Sequence, residues 1–361
     1  FRNQLRENTA LCACLGVSVR DLPSQVRKDQ NLRIMLETDL KNFINVLMIA
    51  FVFLAGSAAN SQTTLKIQDY TGTGNLLVRV AQANGYCKAE GLNCELKTIA
   101  AAPLGLQTML AGDIDIAYGP AEVAAAAGAR KAPIKIIGAG FLVAGTKTEL
   151  PNESKGYPEI IKSLKGLKIG VTQRGSGAEF QVIDMLRDAG LSANDVTFVA
   201  VGAPNTAFPA LTNGQVDVVM TFSPSDGMCE VLKACRIIVD PRKGEGPSSI
   251  IKTRGGAGVL MVRAAWADSN AASIAAFRRA LTQAENFVQD PKNFNATLAI
   301  LKSTFGMQLP KADEIAEVVL RNNIATFKAK TNVTAMQVVA DGMAASKLLP
   351  APVDMSKLVL P

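Results

Sequence analysis

One long segment of this chain occurs twice. Residues 65–120 are echoed by residues 167–224, with the same order of apolar runs, glycines and Asp-centred motifs. The matched pieces are Lys66-Ile67 with Lys168-Ile169, Gly72-Thr73-Gly74 with Gly175-Ser176-Gly177, and Ile114-Asp115-Ile116 with Val216-Asp217-Val218. Solenoid repeats are shorter, at roughly 20–50 residues. The echo therefore predicts two similar lobes within one chain, with a cleft between them.

The composition indicates a globular body with large apolar cores. Hydrophobic residues make up 48% of the 361 positions, whereas aromatic residues make up only 5%. Such a composition favours helices packed on sheets over a disordered chain or a surface that stacks on bases. The net charge is +7, but Lys and Arg are scattered without a basic run. We therefore expect no nucleic-acid partner.

An uncharged apolar run occupies residues 43–55, and small residues follow it at 56–61. Its length suits the core of a secretory signal and falls short of the roughly 20 residues that a membrane-spanning helix needs. A buried core helix is the alternative. We predict a signal peptide over 35–61 and a periplasmic location. Because Glu37 and Asp39 weaken the usual positive start, and the chain opens on Phe1, we interpret residues 1–34 as a misassigned start or a fragment.

Four cysteines follow the predicted signal peptide as two close pairs, Cys87 with Cys94 and Cys229 with Cys235. Local pairs in a secreted chain predict disulfides, and four unrelated buried thiols are the alternative. The sequence contains no histidine, which excludes the usual mixed Cys/His zinc sites. We expect neither a metal nor a cofactor.

Strand and helix patterns alternate through both copies of the echo, over residues 64–118 and 168–221. Alternation of this kind predicts mostly parallel sheets, whose ligands bind beyond the carboxyl ends of the strands. Residues 257–262 have the pattern of a returning strand, and the chain from Ala271 onwards is largely helical in character. The predicted class is α/β.

Three motifs carry a resemblance to a known family. Residues 85–96 are GYCKAEGLNCEL, residues 110–117 are LAGDIDIA, and residues 164–171 are LKGLKIGV. These motifs resemble those of the nitrate/sulfonate/taurine-type solute-binding proteins of ABC importers, and the resemblance covers about residues 63–330. Cys87 and Cys94 stand where the family usually has Phe and Val, and this paired departure supports a disulfide between them.

The resemblance implies a two-lobed type II periplasmic binding protein fold, with mostly parallel sheets flanked by helices. Residues 62–152 and 250–361 would form lobe one, and residues 160–242 lobe two. The implied function is capture of a small organic anion, a sulfonate or carboxylate, in the cleft between lobes. The implied partner is an inner-membrane ABC permease, and the protein would act as a monomer.

On that fold, the loops after the first and third strands of each lobe face the cleft. The ligand-binding residues that this implies are Tyr70, Thr71, Gly72, Thr73, Gly119, Pro120, Gln173, Arg174, Ser176, Gly177, Asn205, Phe222 and Ser223. Both glycine-rich loops precede a helix, where unpaired N–H groups and the helix dipole favour an anion. Arg174 could pair bidentately with a carboxylate or sulfonate; a solvated arginine is the alternative. Asp115 and Asp217 are interpreted as strand-end partners.

Other classes of function receive less support. Without histidine, Ser-His-Asp and Cys-His machinery is excluded, and neither glycine pair completes a nucleotide-binding motif. We predict that the protein is not an enzyme. A fold-related enzyme or sensor, such as a protein that binds or makes a pyrimidine thiamin precursor, is the alternative. Phe222 opposite the small residues Gly119 and Pro120 favours an organic ligand, but sulfonates, nitrate, carboxylates and neutral pyrimidines all remain open.

Overall fold

The computed structural model describes residues 62–70, 72–140, 156–252, 258–305 and 309–361. The predicted signal peptide at 35–61 and the preceding residues 1–34 lie outside the described residues. The same holds for Thr71 and for the segments 141–155, 253–257 and 306–308.

The described strands form two sheets. In chain order they are β1 (Thr63–Asp69), β2 (Leu92–Thr98), β3 (Ile116–Pro120), β4 (Ile134–Gly140), β5 (Lys168–Val171), β6 (Thr197–Ala200), β7 (Val218–Val219) and β8 (Gly258–Arg263). The five-stranded sheet has the order β2-β1-β3-β8-β4, and the three-stranded sheet has the order β6-β5-β7. We call the parts built on them the first and second lobes.

Within each lobe, the strands of the echoed segment pair in parallel, as the alternating pattern predicts. In the first lobe β1 lies between β2 and β3, and in the second lobe β5 lies between β6 and β7. Strand β8 is the returning strand, and it is antiparallel to both β3 and β4. Every residue of β3 is buried, which explains its continuous apolar sequence.

Helices cover these sheets. They are α1 (Leu76–Ala83), α2 (Tyr86–Ala89), α3 (Ala102–Ala111), α4 (Ala121–Ala129), α5 (Gly177–Asp188), α6 (Pro204–Thr212), α7 (Ser225–Leu232), α8 (Ser248–Ile251), α9 (Ala264–Ser269), α10 (Ala271–Gln289), α11 (Phe294–Phe305), α12 (Ala312–Asn323) and α13 (Val333–Ala345). Helices α10 to α13 confirm the helical character predicted after Ala271. Among the described residues, no helix has both the length and the apolarity needed to cross a membrane.

The echoed Asp residues hold equivalent positions in the two lobes. The Asp115 carboxylate accepts a hydrogen bond from the Lys66 N–H at 2.8 Å, and the Asp115 N–H donates to the Lys66 carbonyl. Asp217 repeats both bonds with Lys168, and its carboxylate lies 2.9 Å from the Lys168 nitrogen. Each Asp therefore ties the first strand of its lobe to the third. The interpretation of both residues as strand-end partners is confirmed.

Both predicted cysteine pairs are bonded. The Cys87–Cys94 disulfide joins α2 to β2, and the Cys229–Cys235 disulfide closes the end of α7. Helices α1 and α2 are separate, because Gly85 between them adopts a φ of 74° that interrupts the α-helix. Helix α4 and strand β4 have no counterpart in the sequence-based prediction.

Candidate functional site

A small cavity lies between the carboxyl ends of strands from the two lobes. Its volume of about 10 Å³ is close to that of a single water site. The lining residues are Tyr70, Pro120, Thr172, Ser176, Gly177, Ala178, Gln181, Met220, Thr221 and Phe222. In the first lobe, Tyr70 follows β1 and Pro120 ends β3. In the second lobe, Thr172 follows β5, residues 220–222 follow β7, and residues 176–181 form the start of α5. This is the edge where ligands bind in open parallel sheets.

The cavity brings together a part of the predicted site. Five of the predicted residues line it, and these are Tyr70, Pro120, Ser176, Gly177 and Phe222. The others that the structure describes lie outside this lining, and these are Gly72, Thr73, Gly119, Gln173, Arg174, Asn205 and Ser223. Asn205 is exposed. A Cβ at Gly119 would point at Ala102 inside the first lobe, and the Ser223 hydroxyl accepts a hydrogen bond from Asn323 at 3.1 Å.

Sequence reasoning missed the remaining lining residues. Thr172 directly follows β5, and Met220 and Thr221 directly follow β7, so the rule that ligands bind at strand ends could have included them. Gln181 lies four residues beyond Gly177 on α5 and therefore on the same helix face. Strand ends and helical periodicity are therefore the sequence signals that could have identified these lining residues.

Aromatic side chains connect the lobes beside the cavity. The Tyr70 ring lies 5.0 Å from the ring of Phe222 in the other lobe and 5.5 Å from the ring of Tyr118 in its own. The Tyr70 hydroxyl shares hydrogen bonds with the Thr172 side chain and the Ala102 backbone. Burial raises the pKa of Tyr70 far above its usual range. Tyr70 therefore remains a neutral hydroxyl at any physiological pH.

Two glycines allow the lobes to approach closely. Gly72 has a φ of +108°, and a Cβ at this position would lie 2.5 Å from the Ser223 carbonyl oxygen. A Cβ at Gly177 would lie 2.4 Å from Cγ of Pro120. Both distances are shorter than any ordinary carbon contact. Side chains at these two positions would separate the lobes.

A buried arginine supports the first cleft loop. Arg79 is 3% exposed, and its guanidinium donates to the Asp69 carboxylate and to the carbonyls of Tyr70 and Gly72 at 2.6–3.0 Å. Charge-assisted bonds of this kind fix the loop that follows β1. Arg79 lies within α1 among apolar residues, where nothing in the periodicity marks it as functional.

Arg174 has a partner outside the cavity. Its guanidinium lies 2.9 Å from the Glu179 carboxylate and 5.5 Å above the Phe198 ring, and its side chain is 65% exposed. Glu179 also accepts the Gly175 N–H at 2.6 Å. The ion pair thus braces the loop that precedes α5. A direct contact between Arg174 and a ligand stays a prediction of the sequence, and the exposed ion pair with Glu179 favours the alternative of a solvated arginine.

Several buried polar atoms near the cavity have no hydrogen-bond partner. Within the described ranges they are Ser176 Oγ and Thr221 Oγ1, which belong to lining residues, and Glu122 Oε2, which lies beside the lining residue Gly177. Leaving such an atom unsatisfied costs about 1–3 kcal/mol. This cluster of atoms at one edge of the fold is therefore available for hydrogen bonds to a ligand.

Glu122 is the acidic member of this cluster. It begins the first turn of α4, is 5% exposed, and accepts a hydrogen bond on Oε1 from Gln181 Nε2 at 2.8 Å. Burial raises the pKa of Glu122 to about 7, the Gln181 hydrogen bond opposes that shift, and nearby Asp184 adds to it. A Cβ at Gly177 would lie 3.3 Å from Oε2. The carboxyl group thus bridges α4 of the first lobe and α5 of the second.

The fold is shared with known proteins. Residues 75–293, more than half of the chain, match the family described as NMT1/THI5 like. The chain belongs to the NMT1/THI5-like family. A Brucella abortus protein provisionally named as a binding protein is 25% identical over 183 residues, which are 50% of this chain and 54% of that protein. The chain thus spans about half the length of the curated relatives it matches.

Solved structures show the same fold for this NMT1/THI5-like chain. The alkanesulfonate-binding protein SsuA of Xanthomonas axonopodis pv. citri, bound to MOPS, has a TM-score of 0.64 at 20% identity and covers 82% of this chain and 98% of its own. The periplasmic nitrate-binding protein NrtA of Synechocystis PCC 6803 has a TM-score of 0.64 at 15% identity, with coverages of 82% and 86%. The predicted two-lobed periplasmic binding protein fold is confirmed.

An enzyme also shares this fold. The desulfurization enzyme DSZB has a TM-score of 0.54 at 14% identity, and the match covers 83% of this chain and 96% of that enzyme. The fold alone therefore does not separate binding from catalysis, and the function has to be argued from the site.

Proposed function

We propose that this NMT1/THI5-like protein is the solute-binding component of an ABC importer and captures a small organic anion, a sulfonate or carboxylate, between its lobes. The observation that carries the proposal is the pair of buried, unpartnered hydroxyls, Ser176 Oγ and Thr221 Oγ1, in one cavity at the facing strand ends. Hydroxyls can donate to the oxygens of such an anion.

The start of α5 supports an anionic ligand. Ser176 occupies the N-cap position of this helix but makes no side-chain capping bond, so its hydroxyl can donate to a ligand. Gly177 and Ala178, the first residues of the helix, line the cavity. The unpaired N–H groups and positive dipole end of a helix N-terminus favour negative charge. Together these groups would hold an anion without an arginine.

Delivery to an inner-membrane permease, as a monomeric periplasmic protein exported by a signal peptide, completes the proposal. SsuA and NrtA are named as periplasmic proteins that bind sulfonates and nitrate, respectively. The two disulfides of this chain suit an oxidising compartment. A non-enzymatic role is supported by the complete absence of histidine from the sequence, which removes the commonest general acid–base group.

The test is a thermal-shift screen of purified protein against sulfonates, carboxylates, nitrate and neutral pyrimidines, followed by calorimetry. A ligand present at 100 times its Kd should stabilise the protein by about 2.7 kcal/mol. The double variant Ser176→Ala and Thr221→Val should weaken the binding of an organic anion, whereas the control Thr212→Val changes an exposed threonine at the end of α6, outside the cavity. Stabilisation by neutral pyrimidines alone would favour the thiamin-precursor alternative, and no stabilisation by any compound would contradict the proposal.

A further inference from the structure

Helix α5 of the second lobe contacts the first lobe in two separate places. At its start, Gly177 faces Pro120 beside the cavity. Its second half carries Asp184 and Arg187, and both of these side chains reach α13. At the usual rise of an α-helix, Arg187 lies roughly 15 Å along α5 from Gly177. The second contact is therefore distinct from the cavity and its lining.

Helix α13 packs against both lobes. Its apolar side lies in the core of the first lobe together with α4 and β3. At Gly342 the same helix meets the second lobe, since a Cβ here would lie 2.6 Å from Cβ of Ser249 in α8 and 3.4 Å from Asp184 Oδ2. Helix α8 packs on the core of the second lobe through Ile250. The small size of Gly342 thus allows α13 to approach α5 and α8 closely.

Asp184 is the centre of the polar part of this contact. Its side chain is 5% exposed, and it accepts hydrogen bonds from Ser346 at 2.8 Å and from the Ser249 hydroxyl. A buried carboxylate needs such donors. One of the two hydroxyl donors comes from the first lobe, because Ser346 directly follows α13. The buried charge of the second lobe is therefore satisfied in part across the boundary between lobes.

Arg187 extends the contact to the end of α13. Its guanidinium lies 2.5 Å from the Asp184 carboxylate, and it donates to the Gly342 carbonyl at 3.0 Å and to the Ser346 hydroxyl. The carboxyl end of a helix carries partial negative charge, which a cation stabilises. Here the cation belongs to the other lobe. Separation of α5 from α13 would remove this stabilisation together with the hydrogen bonds.

We propose that this contact is an interlobe latch that holds the protein in its closed arrangement. The latch consists of Asp184, Arg187 and Ser249 in the second lobe and Gly342 and Ser346 in the first. Its bonds favour the state in which both lobes contact α13, and a contact made in only one of two states shifts the population toward that state. The latch goes beyond the proposed function, because it sets how far the lobes open whatever the ligand is.

Two variants disturb the latch in different ways. Gly342→Ala places a Cβ against Ser249 and should push the second lobe away from α13. The higher helix propensity of alanine should keep α13 itself folded. Ser346→Ala adds no atom, but it removes a donor to Asp184 and an acceptor for Arg187. Crowding and bond removal should therefore have the same effect on the opening of the lobes.

Gly128→Ala is the matched control. Gly128 is also a helical glycine, and a Cβ at this position would lie 2.7 Å from Cδ1 of Leu358. Both Gly128 and Leu358 belong to the first lobe, where they lie beside the same apolar core. The control therefore creates similar crowding inside one lobe and leaves the contact between lobes unchanged.

Hydrogen exchange measured by mass spectrometry on the full chain, without added ligand, reports the opening. The first N–H groups of a helix have no intrahelical acceptor, so the protection of residues 177–179 depends on burial between the lobes. We expect exchange in this segment to be at least about 5-fold faster in Gly342→Ala and in Ser346→Ala, the change in equilibrium that corresponds to one net hydrogen bond. Small-angle scattering should show a larger radius of gyration for both variants than for Gly128→Ala.

Unchanged exchange at the start of α5 in both latch variants would overturn the inference. Equal acceleration in Gly128→Ala would also overturn it, because crowding within one lobe would then be sufficient. Acceleration confined to α13 would do the same, since it indicates only a local structural role. The measurement uses no ligand, so its failure leaves the proposed function standing, and a failed ligand screen leaves the latch standing.

Discussion

Replacing Gly177 by Ala should block closure of the lobes without unfolding the protein. Gly177 does not adopt a positive φ, so alanine can take its backbone conformation, and it opens α5. A Gly to Ala change at a compatible position stabilises by about 0.4–1 kcal/mol through the unfolded chain. The new Cβ, however, would lie 2.4 Å from Cγ and 2.7 Å from Cβ of Pro120 in the other lobe.

The expected loss follows from that contact. Overpacking by one carbon in a well-packed contact costs about 1–3 kcal/mol, and here the cost applies only when the lobes are closed. If ligand binds the closed arrangement, the dissociation constant should rise roughly 5- to 150-fold. The free energy of unfolding of the ligand-free protein should fall by no more than this overpacking cost of about 1–3 kcal/mol.

Calorimetry with the ligand found by thermal shift measures the change in affinity, and small-angle scattering shows whether the ligand still compacts the protein. Gly156→Ala is the control, because a Cβ at Gly156 would meet nothing within 4 Å. Undiminished affinity in Gly177→Ala, with normal compaction, would refute the claim that the contact between Gly177 and Pro120 belongs to the ligand-bound state.

Three further predictions concern pH, disulfides and Arg174. Because the folded-state pKa of Glu122 is raised to about 7, its contribution to stability is fully present below about pH 4.5 and is lost as pH rises to 7. Urea unfolding at pH 4.5 and 8 should show wild type losing up to about 3 kcal/mol more than Glu122→Gln, and parallel profiles would contradict this. Reduction of either disulfide should lower stability by about 2–3 kcal/mol, since each closes a short loop; four free thiols in unreduced, unfolded protein would contradict the bridges. Arg174→Ala should change ligand affinity less than about 5-fold, because its exposed ion pair with Glu179 contributes at most about 1 kcal/mol, whereas a loss of 10- to 150-fold would place the guanidinium on the ligand.

The parts of the fold that the sequence predicts are those with a local pattern. The echoed segments and the Asp residues at 115 and 217 predict two sheets with the same strand connections, and both sheets have them. Helix α4 was missed because seven of its nine residues are buried, and burial on most sides leaves no helical periodicity to recognise. Strand β4 pairs with β8, more than a hundred residues later, and forms a single bridge to Val359 still further along the chain, so no local pattern marks its partners.

The sequence predicts part of the cavity lining, because strand ends and glycine loops are visible in it. The pairing of charged side chains is not visible in the sequence. Arg79 and Arg174 are both arginines near cleft loops, yet one is buried against backbone carbonyls and the other is exposed on Glu179. Glu122 follows β3 in an alanine-rich segment and meets Gln181 only through the approach of the two lobes. Contacts between residues distant in sequence decide these roles.

The position of β8 has a consequence for the order in which the chain acquires structure. The strands of the second lobe, at residues 168–219, are all present before residues 258–263 emerge from the ribosome. The first lobe cannot join β3 to β4 until that strand arrives. Long-range pairings of this kind form slowly. The first lobe should therefore stay incomplete while the inserted second lobe is already able to fold.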